Sequence, residues 1–178
     1  MADVSPESTG FLSAAEELSQ GHRISSSKAR AIPAWTAHTA VAEWLRDARL
    51  ACTQAAPEAG KAAEWLLDND YQVHRALRQI RQDLPPAFYD RLPPLAGEEE
   101  GLPRVFALAH QLLRLTRMQI SLAGAVRFLR AYQKHSPLSI AELWAFPTML
   151  RIACIEVLVT ALTPLFGHCL VLPFRPSK

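Results

Sequence analysis

The chain has 178 residues, about half of them hydrophobic, with 19 Lys and Arg against 17 Asp and Glu. That length suits one domain, or one domain plus a tail, and supplies enough apolar side chains to bury a core. The overall near-balance of charge argues against a nucleic-acid binder, and the scattered Cys52, Cys154 and Cys169 suggest neither a disulfide framework nor a zinc knuckle.

The first 32 residues are rich in Ser, Ala and Gly and show no strong period. They read as a mostly flexible leader, with at most a short helix over Phe11 to Leu18. The leader has neither a basic n-region nor an apolar h-region, so a secretory signal is not expected. From Pro33 the pattern changes. Trp35, Val41, Trp44, Leu45, Ala48 and Cys52 fall at helical spacing. Pro57 and Gly60 mark a break. A long helix is predicted over Ala62 to Gln82, with Trp65, Leu66, Tyr71, Val73, Leu77 and Ile80 as its stripe and Arg75, Arg78 and Arg81 facing outward. Asp83-Leu84-Pro85-Pro86 stops it, because a residue before proline is driven out of the helical region.

Residues 85–101 hold four prolines and an acidic run, and read as a stiff connector. Pro103 suits the start of a helix carrying Val105, Phe106, Leu108, Ala109, Leu112, Leu113 and Leu115. Another helix is predicted from Leu122 to Lys134, anchored by Val126, Phe128, Leu129 and Tyr132. Ser139-Ile140-Ala141-Glu142 has the form of a capping box, in which each side chain bonds the other residue's backbone N–H. The helix it opens meets Pro147, which kinks or restarts it, and its apolar face runs to about Leu162. Val157 to Phe174 carries no charged residue, near the minimum needed to span a bilayer. Pro164, Gly167, His168 and Pro173 interrupt that run, so a buried helix followed by an apolar tail is expected instead. No stretch alternates with period two. The expected fold is all-α, a bundle of about five to six amphipathic helices over 33–162, between the leader (1–32) and the tail (163–178).

Reactive motifs are not apparent. No phosphate-cradling glycine loop is present, and no two histidines share i, i+3 or i, i+4 spacing. Asp68-Asn69-Asp70 has a D-x-D form, but on a helix its two carboxylates point about 200° apart and cannot share one ion. The tryptophans Trp35, Trp44, Trp65 and Trp144 read as core, with stacking on sugar rings as the alternative. The arginines read mainly as solvated helix faces; the alternatives are the acidic connector, a lipid head group or another domain.

Four ordered stretches carry a resemblance. They are Ala62 to Asn69, then Asp83-Leu84-Pro85 with Tyr89 and Leu92-Pro93, then Pro103 to Ala109, and finally Phe128 to Gln133 running into Pro137 to Arg151. In this order they resemble the amino-terminal region of cyclic β-1,2-glucan synthases, over roughly Ala62 to Leu158. The resemblance implies a very large bacterial inner-membrane enzyme that builds and cyclises a periplasmic glucan from UDP-glucose, with a divalent metal. It implies that this segment precedes the membrane-embedded transferase and has no catalytic residue, cofactor or metal site of its own. The expected partner is that transferase or membrane domain, in the same or a split chain, in a cytoplasmic or inner-membrane-peripheral setting; β-glucan is the other candidate, and nucleic acid is not expected. Within the matching stretches Trp65, Asp68, Asn69, Arg104, Tyr132, Glu142, Trp144 and Arg151 are the candidate packing or interface residues. The tail from Gly167 departs from the family, which suggests a shortened or frameshifted product. The alternative reading is a free-standing regulatory or glucan-binding module.

Overall fold

The computed structural model describes residues 6–54, 60–97 and 99–166. Among them are eight helices and no strand: α1 (Pro6–Gly21), α2 (Pro33–Thr36), α3 (His38–Gln54), α4 (Gly60–Asp83), α5 (Pro86–Tyr89), α6 (Arg104–Leu115), α7 (Leu122–Tyr132) and α8 (Ile140–Phe166). The all-α expectation holds. The helices are gathered in two compact units. One comprises Met1–Arg30 with Ala87–Met149, the other Ala31–Pro86 with Leu150–Lys178.

In the first unit, the segment read as a flexible leader contains α1, a helix of 16 residues that packs along α7. Ala15 and Ser19, one turn apart, are buried, and the Phe11 and Phe128 rings lie 5.6 Å apart. Lys134 Nζ reaches Glu16 Oε1 at 2.5 Å. Only its middle, Phe11 to Leu18, was anticipated as a short helix, because Ala and Ser give little apolar period, yet they let two helices approach closely. After α1 the chain runs extended beside the Pro-rich connector. Ser25 N–H donates to Pro94 O (2.9 Å), Ala96 N–H to Arg23 O (2.8 Å) and Arg30 N–H to Gly101 O (2.6 Å). The connector is therefore a packed layer, with Tyr89, Leu92 and Leu95 each about 1% exposed. Gly101 has φ +81°, a region that favours glycine, and a Cβ there would meet Arg30 Cβ at 3.0 Å.

Helix α6 is buried from Arg104 to Ala109 and again at Leu112 and Leu113, so it forms the centre of this unit. Pro103 sits at its N-cap, one residue before the predicted position. Beyond Leu115 the chain turns through Arg117 (φ 49°) and Met118 (φ 67°) into α7. Ser121 caps α7 by accepting from Gly124 N–H at 3.0 Å. Phe128 and Tyr132 anchor α7 as expected, but Val126 is 38% exposed.

In the second unit, α3 buries Val41, Trp44, Leu45, Ala48 and Cys52, the predicted face; Trp35 is half-buried on α2. Its indole N–H donates to Leu84 O at 3.1 Å, joining α2 to the end of α4. On α4 the buried set is Ala63, Leu66, Val73, Leu77 and Ile80, with Leu84 just beyond. With Asp70 these positions step alternately by three and four, the seam of an antiparallel helix pair. Trp65 and Tyr71 lie one residue off that seam, about 100° round the helix. Both were expected in the stripe, and both are exposed, at 49% and 66%.

Helix α8 runs unbroken through Pro147 and past Pro164 to Phe166, four residues beyond its predicted end. Residues 167–178, the rest of the expected apolar tail, and Pro57 lie outside the described residues. Ile140–Pro164 is long and apolar enough to cross a membrane, with mean hydropathy 1.7, and 56% of that window is buried within the fold.

Candidate functional site

The densest polar arrangement is built where α6, α7 and the start of α8 meet in the first unit. Arg104 opens α6 and is 5% exposed; Glu142, in the first turn of α8, is 1% exposed. Their contact is bidentate. Arg104 Nε donates to Glu142 Oε1 and Nη2 to Oε2, both at 2.7 Å. Two more guanidinium hydrogens find Ser136 Oγ at 2.8 Å and Pro137 O at 3.1 Å. A planar fork with several donors matches a carboxylate in this way, and lysine cannot.

Glu142 is also half of the capping box. Its Oε2 accepts from Ser139 N–H and Ser139 Oγ–H, each at 2.9 Å, and Ser139 Oγ accepts from Glu142 N–H at 3.3 Å. One carboxylate thus closes the N-terminus of α8 and neutralises a buried cation on α6. A buried charge is tolerated only when it is paired and hydrogen-bonded, and both members satisfy that condition.

Tyr132 ends α7 beneath the guanidinium, whose carbon lies 6.0 Å from the ring centroid. The Tyr132 hydroxyl shares a 2.9 Å hydrogen bond with His22 Nδ1, just beyond α1. Burial raises the tyrosine pKa. Burial, and then the Arg104 charge, lower that of His22. The Glu99 carboxylate, 3.8 Å from His22 Nε2, pulls the other way, but it is only half-buried and beyond hydrogen-bond reach. A neutral ring accepting the tyrosine proton at Nδ1 fits these contacts. Desolvation also lowers Arg104, but the Glu142 contacts outweigh it and raise its pKa, keeping the guanidinium charged.

This arrangement brings together three of the eight residues singled out from the sequence: Arg104, Tyr132 and Glu142. The others lie elsewhere. Asn69 donates back to Trp65 O at 2.8 Å, within α4. Asp68 is exposed on α4, while Asp70 faces Arg49 at 3.5 Å and His74 at 3.4 Å, so the D-x-D carboxylates do part. Arg151 pairs with Asp83 at 3.6 Å. The core assignment fails for Trp65 and for Trp144, which is 78% exposed beside Ile140 (76%) and Leu143 (38%). Both tryptophans stand beside, not on, the buried face of their helices. His22 and Ser136 were not anticipated. Nothing local marks His22, which meets Tyr132 only through the packing of α1 on α7. Among the described residues no three His, Cys, Asp or Glu gather as a metal site.

Chemically, the cluster is a clamp. Its groups are sequestered, and their hydrogen bonds are directed at one another. It ties the ends of three helices and the segment after α1.

No protein-family model matches the chain. Over 108 residues, 58% of its length, it is 39% identical to the cyclic beta-(1,2)-glucan synthase NdvB of Rhizobium meliloti (strain 1021). The chain spans 4% of that protein's length, and so contains a region related to a small part of a cyclic glucan synthase.

Proposed function

We propose that this chain is a non-catalytic helical segment of a cyclic β-1,2-glucan synthase system, acting as a scaffold for the transferase or membrane domain, in the same or a split chain. The similarity to the synthase over 108 residues is the observation that carries the reading. The clamp agrees with it, since its charged groups are directed to one another and serve to fix helix ends. Glucosyl transfer from UDP-glucose, with its divalent metal, belongs on this reading to the partner domain. The setting is cytoplasmic or peripheral to the inner membrane. The exposed Trp144, Ile140 and Leu143 are the contact on the scaffold side.

The test is complementation in trans. A synthase lacking its related segment is co-expressed with this chain, and cyclic glucan is measured. Restored synthesis, lost again with Trp144→Ser, supports the scaffold; synthesis independent of the chain refutes it. A second reading, a glucan-binding module, is favoured by the exposed Trp65 and Tyr71 on α4. It requires saturable titration heat with β-1,2-glucan, abolished by Trp65→Ala.

A further inference from the structure

From residue 101 to residue 141 the chain contains no Asp or Glu, while carrying Arg104, Arg114, Arg117, Arg127, Arg130 and Lys134. Among the described residues two of these cations have acidic partners: Arg104 is clamped by Glu142, and Lys134 is paired with Glu16. The rest are exposed on α6, α7 and the turn between them. The same region exposes large apolar side chains: Met118 at 51%, Ile120 at 38%, Leu122 at 83% and Val126 at 38%.

The two sets interleave. On α7, Leu122, Val126 and Arg130 follow at four-residue steps along the side opposite the buried Gly124, Phe128, Ala131 and Tyr132, with Arg127 on its flank. The positive φ values of Arg117 and Met118 fold the preceding turn back on itself. A cleft of about 580 Å³ there is lined by Arg117 and Arg127 together with Leu115 and Ser121. The basic and apolar groups therefore share one end of this unit.

We propose that this face, the α6–α7 turn and the outward side of α7, docks on the surface of an anionic lipid bilayer. Basic side chains alternating with exposed apolar ones satisfy both parts of such a surface: the cations meet the head groups, and the apolar residues insert between them. Charge complementarity selects this occupant. An uncharged partner leaves the cations without a counter-charge, and a purely ionic one leaves Leu122 and Met118 in water. The proposal is independent of the scaffold reading, because it concerns a different surface and needs no synthase.

The experiment is co-sedimentation of the full chain with phosphatidylcholine vesicles, with and without phosphatidylglycerol. Binding is expected only with the anionic lipid, and is expected to weaken as salt rises from about 0.1 M to about 0.5 M. Each arginine near such a surface contributes about fivefold in partitioning, so Arg127→Gln with Arg130→Gln should weaken binding about 25-fold. Both residues are exposed, so an unchanged thermal melt shows that the double variant is folded. Leu122→Ser should weaken binding at constant charge. Equal binding to neutral vesicles, or a double variant that binds like the parent, overturns the proposal; the first outcome points to the apolar start of α8 instead. Failure to bind any vesicle, with retention on heparin, overturns it in favour of a soluble polyanion.

Discussion

Replacing Arg104 by Met keeps most of the apolar stem and removes the guanidinium. Glu142 then remains 1% exposed with only the Ser139 donors, while Ser136 Oγ and Pro137 O lose theirs. Breaking a buried pair by removing one member costs about 3–5 kcal/mol. For a chain of this size that is a fall in melting temperature of about 6–20 °C. Glu142→Leu should cost a similar amount, because it strands the buried guanidinium. The double variant is the informative one. An apolar pair of similar volume often replaces a buried ion pair at no loss. What remains is the missing cap at α8, about 1 kcal/mol, and the two acceptors left without their arginine donor, about 1 kcal/mol together. The double variant should therefore lose about 2 kcal/mol, far less than the sum of the singles. Urea unfolding of the four proteins measures the cycle. Single losses below about 1 kcal/mol, or a double loss equal to the sum, would refute a clamp whose members stabilise the fold through each other.

Other expectations follow from the same geometry. Trp144→Ala should cost under about 1 kcal/mol in a thermal melt, whereas Phe128→Ala, fully buried, should cost about 3–5 kcal/mol. Gly101→Ala should destabilise by about 1–3 kcal/mol, because alanine must hold a positive φ while pressing on Arg30. The folded-state pKa of His22 is depressed, so the unfolded chain binds the proton more readily. Stability should then be full above the ordinary histidine value of about 6.5 and fall as pH drops below it; His22→Gln should flatten that slope in melts taken across the range. A thiol reagent should label Cys154, which is exposed, well before Cys52, which is fully buried and should react only on unfolding.

The sequence was most legible where one helix face is apolar and the other polar. The buried face of α3 was read nearly residue for residue, since Val41, Trp44, Leu45, Ala48 and Cys52 suit no other arrangement. On α4 the period was right but its phase drifted, because Trp65 and Tyr71 are the largest apolar side chains near the seam and drew the stripe toward themselves. Asp70, which lies in the seam beside Arg49, is polar and was not counted in the stripe. Helix α1 was read too short, as Phe11 to Leu18 at most, for the opposite reason: Ala15 and Ser19 contribute close packing, and neither registers as strongly apolar.

The clamp was legible in part, and the part that was legible is local. Ser139 and Glu142 stand three residues apart, so their reciprocal bonds follow from helix geometry alone. The bond from Glu142 to Arg104 spans 38 residues, and that from His22 to Tyr132 spans 110. No spacing rule encodes these. What the sequence does hold is an imbalance: Glu142 is the first acid after residue 100, with six cations between. A lone carboxylate at the end of such a run, already fixed by a cap, is the natural partner for whichever arginine the fold buries. Packing selects Arg104 because it opens α6, the helix buried along most of its length. The other cations of the run sit on exposed positions of α6, the turn, α7 and, for Lys134, just beyond α7, so burying one arginine and leaving the rest outside are two consequences of the same placement.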